Sequence, residues 1–334
     1  MRKALSRRDF LKNAGRVGAG AASVLSAGSV LDVPLIGTRI FAQTKEETPA
    51  PASPRVVRVI SEKWQTEDKK VNDAVVKRMI HESVRQLTGK TDVSAAWKSL
   101  FSSGEKVGVK FNNVSRDYCR TNMPVMQAVL EGLKEAGVPR EQITFLEQGA
   151  VPFTGGLQPD LTPKTEVEFG HGKTRLTPFL TDQVDCLICV PDLKHHHRTG
   201  VTGALKNFSH SKSFMDNPSE FHSNNCDPYV AELCALPHFR KKRRLNICCG
   251  FKVIFEDGPV PRPRHIEDYH GVLASIDPVA MDQICYEVVK DIRKKKGLSN
   301  RVFDTMVRHI ATAEKMELGI ADSSKIDLVE VPLA

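Results

Sequence analysis

The sequence Val184-Asp-Cys-Leu-Ile-Cys-Val190-Pro-Asp-Leu-Lys-His-His-His-Arg-Thr-Gly-Val-Thr-Gly-Ala-Leu-Lys-Asn207 joins a short apolar run to a polar segment. The apolar run predicts a buried β-strand. The polar segment is predicted to be a loop, and it brings two lysines, three histidines and two glycines together. Ligands of α/β proteins bind beyond the carboxyl ends of strands, and clusters of titratable groups mark functional sites. This segment is therefore the first candidate site.

Strands and helices alternate along the rest of the chain. The predicted strands are Arg55–Ile60, Lys106–Phe111, Ile143–Glu147, Val184–Val190, Leu245–Phe255, Val272–Ile276 and Asp327–Val331. Helices are predicted at Asp68–Leu87, from Pro124 to Gly137, at Pro228–Leu236, after the N-cap Asp277, and from Ser299 to about Met316. This order predicts an α/β fold with a mainly parallel sheet and helices on both faces.

The first 42 residues have the features of an export signal. Ser6-Arg-Arg-Asp-Phe-Leu-Lys12 has the twin-arginine pattern, and Ile40-Phe-Ala42 offers a small residue for cleavage. The twin-arginine export machinery is thus an expected partner, and a periplasmic or other extracytoplasmic location is expected. The segment Ala14–Val33 is too weakly apolar for a stable membrane span, and no other run is long and apolar enough.

Residues 43–54 are predicted to be a proline-containing linker, followed by a single α/β domain over residues 55–334. Residues 1–54 hold eight of the 48 basic and four of the 40 acidic residues, which is half of the net charge of +8. The small remaining excess does not favour a nucleic-acid partner.

The eight cysteines all follow residue 54, and none of them forms a ferredoxin-type iron–sulfur motif. Cys186 and Cys189 lie in a predicted strand, where they point to opposite faces and are expected to be core residues. The spacing of Cys119, Cys226 and Cys234 leaves both pairing and metal binding open.

The histidines of the polar segment divide between two faces. In an extended chain His195 and His197 share one face and His196 points to the other, so the three cannot bind one ion without a bend. A second histidine, His210 or His222, is expected to return to this strand end and complete an acid–base or metal pair. Lys206 is a candidate nucleophile if burial lowers its pKa. The glycines Gly200 and Gly203 are expected to permit turns and a close approach of the backbone to a ligand.

Other polar residues follow other predicted strands, and the carboxyl ends of parallel strands meet at one edge of a sheet. The predicted catalytic residues are His196, Lys206 and His222, with His196 and His222 also as metal ligands. The predicted cofactor-binding residues are Lys194, Asn207, Asn112 and Asp257, and the predicted substrate-anion contacts are Arg120 and Lys110. Glu147 and Asp277 also end predicted strands, although Asp277 is better explained as a helix cap.

Several motifs resemble the family called domain of unknown function three-sixty-two. They are Val190-Pro-x-x-Lys-x-His196 with Thr199-Gly-Val-Thr-Gly-Ala-Leu-Lys-Asn207, Gly108-Val-Lys-Phe-Asn112, Asp257-Gly-Pro259 and Asp277-Pro-Val-Ala-x-Asp282. The resemblance spans roughly residues 55–290 and implies an α/β domain. Members of that family are often exported or fused to iron–sulfur modules.

The spacing of His196 and Lys206, with small residues between them, also resembles a loop of the nickel-pincer lactate racemases. That distant resemblance implies that Lys206 and His222 help to hold a pincer cofactor and nickel, and that Arg120 lies in a substrate-binding region. The chain departs from those enzymes after Gly149, where it has Ala150-Val-Pro152 in place of a catalytic histidine.

These observations predict an exported, metal- or cofactor-dependent enzyme with redox or isomerase-like chemistry on a small polar or anionic substrate. The cofactor is unknown, and a metal ion fits the histidines. The alternative is a non-catalytic periplasmic protein that binds a small ligand or a metal. A purely structural module is the third alternative.

Overall fold

The computed structural model describes residues 54–112, 122–147, 156–260 and 262–334, which all belong to one compact unit. The predicted export signal, nearly all of the predicted linker, Cys119 and Arg120 lie outside the described residues. None of the described helices is both long enough and apolar enough to cross a membrane.

The strands lie in chain order as follows: β1 Arg55–Ile60, β2 Val107–Phe111, β3 Ile143–Leu146, β4 Thr165–Phe169, β5 Gly172–Leu176, β6 Cys186–Val190, β7 Asp192–His196, β8 Gly200–Thr202, β9 Arg243–Ile254, β10 Ile266–Ser275 and β11 Asp327–Pro332. The helices are α1 Asp73–Thr88, α2 Val93–Lys98, α3 Asn122–Glu135, α4 Ala204–Ser209, α5 Tyr229–Ala235, α6 Pro237–Arg240, α7 Pro278–Lys295, α8 Arg301–Met306 and α9 His309–Lys315.

The large sheet has the strand order β11-β1-β10-β9-β6-β2-β3, and it is mostly parallel as predicted. Strand β10 is the main exception, because it pairs antiparallel with both β1 and β9. Ser275, at the carboxyl end of β10, pairs with Asn246 near the beginning of β9. Asp277 therefore lies at the opposite end of the sheet from the carboxyl ends of the parallel strands, and its predicted convergence with them is wrong.

Helices cover both faces of the sheet, which confirms the predicted layers. One hydrophobic cluster contains residues of α1 and α3 such as Met79 and Val129, and the other contains residues of α4 and α7 such as Leu205 and Ile284. Neighbouring strand residues alternate between the clusters, since side chains of a strand alternate between its faces. Cys186 faces the first cluster and Cys189 the second, and both are buried as predicted.

The polar segment after β6 forms the β7–β8 hairpin and the short helix α4, so the prediction of a loop is wrong. The long strand β9 pairs in parallel with β6 near its beginning and with β7 near its end. Pro191 separates β6 from β7, yet its carbonyl oxygen accepts a hydrogen bond from the N–H of Cys249 (2.8 Å). Every residue of β7 is buried. Substitutions at the buried positions of β7 are therefore expected to cost more stability than substitutions in an exposed loop.

The last predicted helix is divided into α8 and α9. Phe303 faces the core, whereas Val302, which was predicted to point inward, is 70% exposed. Helix α1 begins later than predicted, because the side chain of Asn72 caps it. The short helix α2 and the separate β4–β5 hairpin were not predicted, because their few apolar residues give no clear period.

A lysine- and histidine-lined cavity as the candidate functional site

A cavity of about 300 Å³ lies beyond the carboxyl ends of β2, β3 and β7. Its lining brings together residues that are up to 149 positions apart in the sequence, counted from Lys110 to Pro259. The lining residues are Lys110, Asn112, Glu147, Lys194, His196, Thr202, Lys206, Asn207, His210, Lys212, Pro218, Ser219, His222 and Pro259. Asn112 and His196 thus lie at the same end of the sheet, as predicted.

His195 and His196 point to different faces of β7, as strand alternation predicts, but His197 follows the end of the strand and does not share the face of His195: its ring stacks on that of His196 with centroids 5.0 Å apart. Nδ1 of His195 accepts a hydrogen bond from the N–H of Gly258 (3.1 Å), and Nδ1 of His197 lies 3.3 Å from the carbonyl oxygen of the same glycine. His196 points the other way and lines the cavity. The segment around Gly258 therefore holds the face of β7 that lies opposite to His196.

Helix α4 carries Lys206 and Asn207, and a buried carboxylate holds its beginning in place. Asp282 accepts hydrogen bonds from the backbone N–H groups of Ala204 and of Leu205, the latter at 3.2 Å. A side chain at Gly203 would collide with that carboxylate. This close packing explains why residue 203 is a glycine. It is a different reason from the predicted approach of the backbone to a ligand.

The second glycine of the segment also has a structural role. Gly200 has a φ of +73°, a conformation that other residues rarely adopt. A side chain there would collide with Val307. Gly200 therefore serves the β7–β8 turn, as predicted, and its packing, and its approach to a ligand stays a prediction.

Three of the cavity lysines are almost fully buried: Lys110, Lys194 and Lys206. Nζ of Lys110 donates to the carbonyl oxygen of Phe111 (2.6 Å) and lies 3.9 Å from the carboxylate of Glu147. Nζ of Lys194 donates to the side-chain oxygen of Asn112 and lies 3.7 Å from the carboxylate of Asp192.

Lys206 lies closest to a histidine, with its Nζ 3.2 Å from Nε2 of His222. Burial lowers the pKa of Lys206 to about 7, and the nearby Cys226 opposes this shift. Burial also lowers the pKa of Lys110. Lys206 is thus a candidate for an amine that loses its proton near neutral pH.

The hydrogen bonds of His196 and His222 assign their neutral tautomers. Nδ1 of His196 accepts from the backbone N–H groups of Arg198 (3.1 Å) and Thr199 (3.4 Å), so Nε2 carries the proton. Nδ1 of His222 donates to the carbonyl oxygen of Ser219 (3.1 Å), so its Nε2 keeps a lone pair. Burial and Lys206 lower the pKa of His196 to about 2 and that of His222 to about 4. The cavity therefore offers one neutral imidazole donor and one neutral imidazole acceptor.

A group that could hold a metal ion consists of His210, His222 and Cys226, whose ligand atoms lie within 4.8 Å of one another. The predicted pair of His196 and His222 is arranged differently. Their rings are stacked with centroids 6.1 Å apart and an interplanar angle of 25°. Because imidazole lone pairs lie in the ring plane, nearly parallel rings do not aim them at one point. Metal binding by His196 stays a prediction.

The structure places the other predicted site residues as follows. Lys110, Asn112, Lys194 and Asn207 line the cavity, whereas Asp257 does not. The carboxylate of Asp257 lies instead 3.2 Å from Arg262 and 3.4 Å from His265. Sequence reasoning missed Lys212, which lies in a polar stretch without a pattern, and the capping role of Asp282.

Comparisons with known proteins identify a family for the central part of the chain. Residues 157–287 match the model of the family described as Domain of unknown function (DUF362), which confirms the resemblance for the motifs at 190–207, 257–259 and 277–282, while the motif at 108–112 lies outside the match. The resemblance to lactate racemases stays a prediction. The search of the curated proteins gave no match.

One crystal structure of a protein from Thermotoga maritima was matched at 13% identity and a TM-score of 0.31. The match covers 67% of this chain and spans only 59% of the length of that protein. A similarity this low carries no argument about fold or function.

Proposed function

We propose that this protein is an exported enzyme that binds a small anionic substrate in the lysine- and histidine-lined cavity. The observation that carries the proposal is the charge of that cavity. Among the described residues, its lining combines four lysines with a single carboxylate, that of Glu147. Redox or isomerase-like chemistry, supported by a metal or another cofactor, remains the reaction class that we propose.

Buried ammonium groups are costly unless opposite charges or hydrogen bonds compensate them. Lys110 and Lys194 have such partners, with carboxylates at 3.9 and 3.7 Å. The cavity is lined by four lysines, so these two carboxylates do not match the number of lysines. A carboxylate or phosphate group bound among the lysines would reduce this excess charge and would itself gain charge-assisted hydrogen bonds. A neutral substrate of the same size would gain neither.

The imidazoles and Lys206 support proton transfer to and from a bound substrate. The protonated Nε2 of His196 is suited to donate a hydrogen bond to a developing oxyanion. Lys206 is suited to accept a proton near neutral pH, because its pKa is lowered to about 7, and the neutral ring of His222 lies 3.2 Å from its Nζ. Two acid–base groups in one cavity favour catalysis over simple capture of a ligand.

The binding part of the proposal is tested with the variant Lys194→Gln, which removes a buried charge and keeps the side-chain length similar. Titration calorimetry with phosphate and with small mono- and dicarboxylates should detect binding to the wild-type protein. Lys194→Gln should weaken that binding by about tenfold or more, as loss of a charge-assisted hydrogen bond does. The matched control Lys98→Gln changes an exposed lysine of α2 and should bind as the wild type does.

Absence of anion binding to the wild type, or equal loss in Lys98→Gln, would contradict the proposal. Chemical analysis of the bound anion after incubation then separates an enzyme from a binding protein. An enzyme converts the anion, and His196→Ala should stop that conversion. A binding protein returns it unchanged, which would overturn the catalytic part of the proposal.

A further inference from the structure

Three side chains beside the cavity have the chemistry of a transition-metal site. His210 and His222 have their rings in a T-shaped contact, with centroids 4.7 Å apart and an interplanar angle of 82°. Cys226 is fully buried and free of any disulfide. Ligand atoms of the three residues lie within 4.8 Å of one another. Two imidazole nitrogens and one thiolate are ligands that Zn²⁺ and similar ions of intermediate softness prefer.

The hydrogen bonds of the two histidines resemble those that orient metal ligands. The ring of His222 donates from Nδ1 to the carbonyl oxygen of Ser219, and Nε2 of His210 lies 3.0 Å from the carbonyl oxygen of Phe221. A ligand histidine usually donates its second ring N–H to such an acceptor, which fixes the tautomer and turns the other nitrogen to the ion. Both rings are therefore held in orientations that leave one nitrogen of each for coordination. In His210 that nitrogen is Nδ1, which would exchange its 2.8 Å contact with Ser209 Oγ for the bond to the ion.

The backbone at the cysteine is held in an unusual conformation. Asn224, Asn225 and Cys226 have φ values of 50°, 56° and 59°. Asparagine tolerates this left-handed region, but a cysteine there is strained. Arg308 holds the turn by donating to the carbonyl oxygen and the side-chain oxygen of Asn224 (3.2 and 2.9 Å). The fold thus holds a strained conformation that brings this thiol to the two histidines.

We propose that His210, His222 and Cys226 form a three-ligand site for a divalent transition metal ion such as Zn²⁺, with an open coordination position toward the lysine-lined cavity. Donors around such an ion lie about 2.0–2.3 Å from it and about 3.5 Å from one another. The three side chains therefore have to close by about 1 Å. His210 and His222 also line the cavity, so a ligand in the cavity reaches the open position.

The charges around the site act in both directions. Nζ of Lys206 lies 3.2 Å from Nε2 of His222 and has to move aside when an ion binds. Lys206 and Arg198 also stabilise a thiolate at Cys226, while burial favours the thiol. A bound divalent ion deprotonates a coordinating thiol outright, so the complex would hold the thiolate.

The experiment uses the purified full chain, freed of metal with a chelator and then titrated with Zn²⁺ against a chromophoric competitor. Co²⁺ serves as the spectroscopic probe, because coordination by a thiolate gives a charge-transfer band. We expect one ion per chain and a Co²⁺ charge-transfer band. Cys226→Ser should abolish the band and weaken Zn²⁺ binding by about 100-fold or more, and His210→Ala should weaken it similarly.

The matched control is Cys186→Ser, which changes an equally buried thiol in the other hydrophobic cluster. It should keep the stoichiometry, the affinity and the band. Circular dichroism checks that each variant is folded, and His222→Gln provides a second ligand variant if His210→Ala does not fold. Binding of less than one ion per chain by the wild type, or a band that survives in Cys226→Ser, would overturn the proposal.

The metal proposal uses the same cavity as the proposed function but fails or succeeds separately. Anion binding that depends on Lys194, in a protein that takes up no Zn²⁺, would sink the metal site alone. Zn²⁺ binding that depends on Cys226, in a protein that binds no anion, would sink the proposed substrate class alone.

Discussion

At the scale of single residues, His195 shows how the support of the site limits the stability of the protein in acid. Burial, with a contribution from Arg293, lowers the pKa of His195 to about 4 from an ordinary value of 6.5. The unfolded chain takes up a proton near pH 6.5, whereas the folded chain resists protonation until about pH 4. Stability is therefore complete above pH 6.5 and falls as the pH decreases toward 4.

The variant His195→Asn tests this linkage, since asparagine offers an oxygen to the N–H of Gly258 without titrating. Urea unfolding should show that the wild type loses roughly 2 to 3 kcal/mol more than the variant between pH 6.5 and pH 4. Phe303→Leu serves as the control, because it removes the ring that stacks on His195 at 5.7 Å and keeps the histidine. An unchanged pH slope in His195→Asn would contradict the prediction.

Sequence reasoning reached some residues of the cavity and missed others for a clear reason. Strand alternation separated His196 from His195, because that pattern needs only local backbone geometry. It failed for His197, which follows the end of β7 and stacks on His196. Strand ends brought Lys110 and Asn112 to the cavity by topology. The contact of Lys206 with His222 was predicted and is present at 3.2 Å, but the path of the chain over residues 210–226 was not, because its turns and short helices give no periodic signal. Cys226 joins the histidines by a left-handed turn that its spacing does not encode.

At the scale of elements, the capping of short helices decides where the functional side chains lie. Asp282 holds the beginning of α4, which carries Lys206 and Asn207, and Asp277 holds the beginning of α7 at the opposite end of the sheet. Both carboxylates accept backbone N–H groups that would otherwise lose their partners. Removing either one should therefore cost stability, and only one should affect the cavity.

We expect Asp282→Ala and Asp277→Ala each to reduce the free energy of unfolding by roughly 1 to 3 kcal/mol. Only Asp282→Ala should also weaken anion binding, because α4 loses the interaction that fixes Lys206. Denaturant unfolding and titration calorimetry measure the two effects on the same samples. Equal anion affinity in the two variants would show that the cap of α4 does not position the site.

The hairpin that carries the histidines could be predicted only in part. The strand β6 and its carboxyl end follow from the apolar run, whose alternation is local. The continuation into β7 does not, because Pro191 and the charged residues after it favour a loop by composition. Pairing with the far half of β9 overrides that preference, and the partner is more than 50 residues away in the chain. Tertiary pairing of this kind is invisible to local patterns.

At the scale of the whole molecule, the predicted export signal is expected to act separately from the folded unit. The pair Arg7 and Arg8 should direct the already folded protein across the membrane, with any cofactor bound beforehand. Replacing both with lysine should leave the uncleaved precursor in the cytoplasm, detected by fractionation and immunoblotting. The change Lys3→Arg is the control, since it alters a basic residue outside the pair. Normal export of the double variant would contradict the prediction.

The layers of the fold were predictable from the order of the elements, whereas the direction of one strand was not. The apolar run of β10 has the same pattern in a parallel and an antiparallel strand, and the predicted strands leave residues 256–271 for the connection, which is long enough for a parallel crossover. In the structure the connection after β9 is shorter. That connection runs from the end of β9 at Ile254 to the beginning of β10 at Ile266. Its length indicates the antiparallel direction, which explains the true place of Asp277.

Because β7 pairs with β9, the strand that carries the cavity residues is part of the central sheet. A ligand that binds only the folded state lowers its free energy by about 2.7 kcal/mol at a hundredfold excess over its dissociation constant. Because the binding strand is part of the central sheet, opening the cavity requires separating strands that also hold the core. Hydrogen exchange should therefore slow on ligand binding at Leu245–Ile247 as well as beside the cavity. Slowing confined to β7 and β8 would instead show that the hairpin opens as an independent unit.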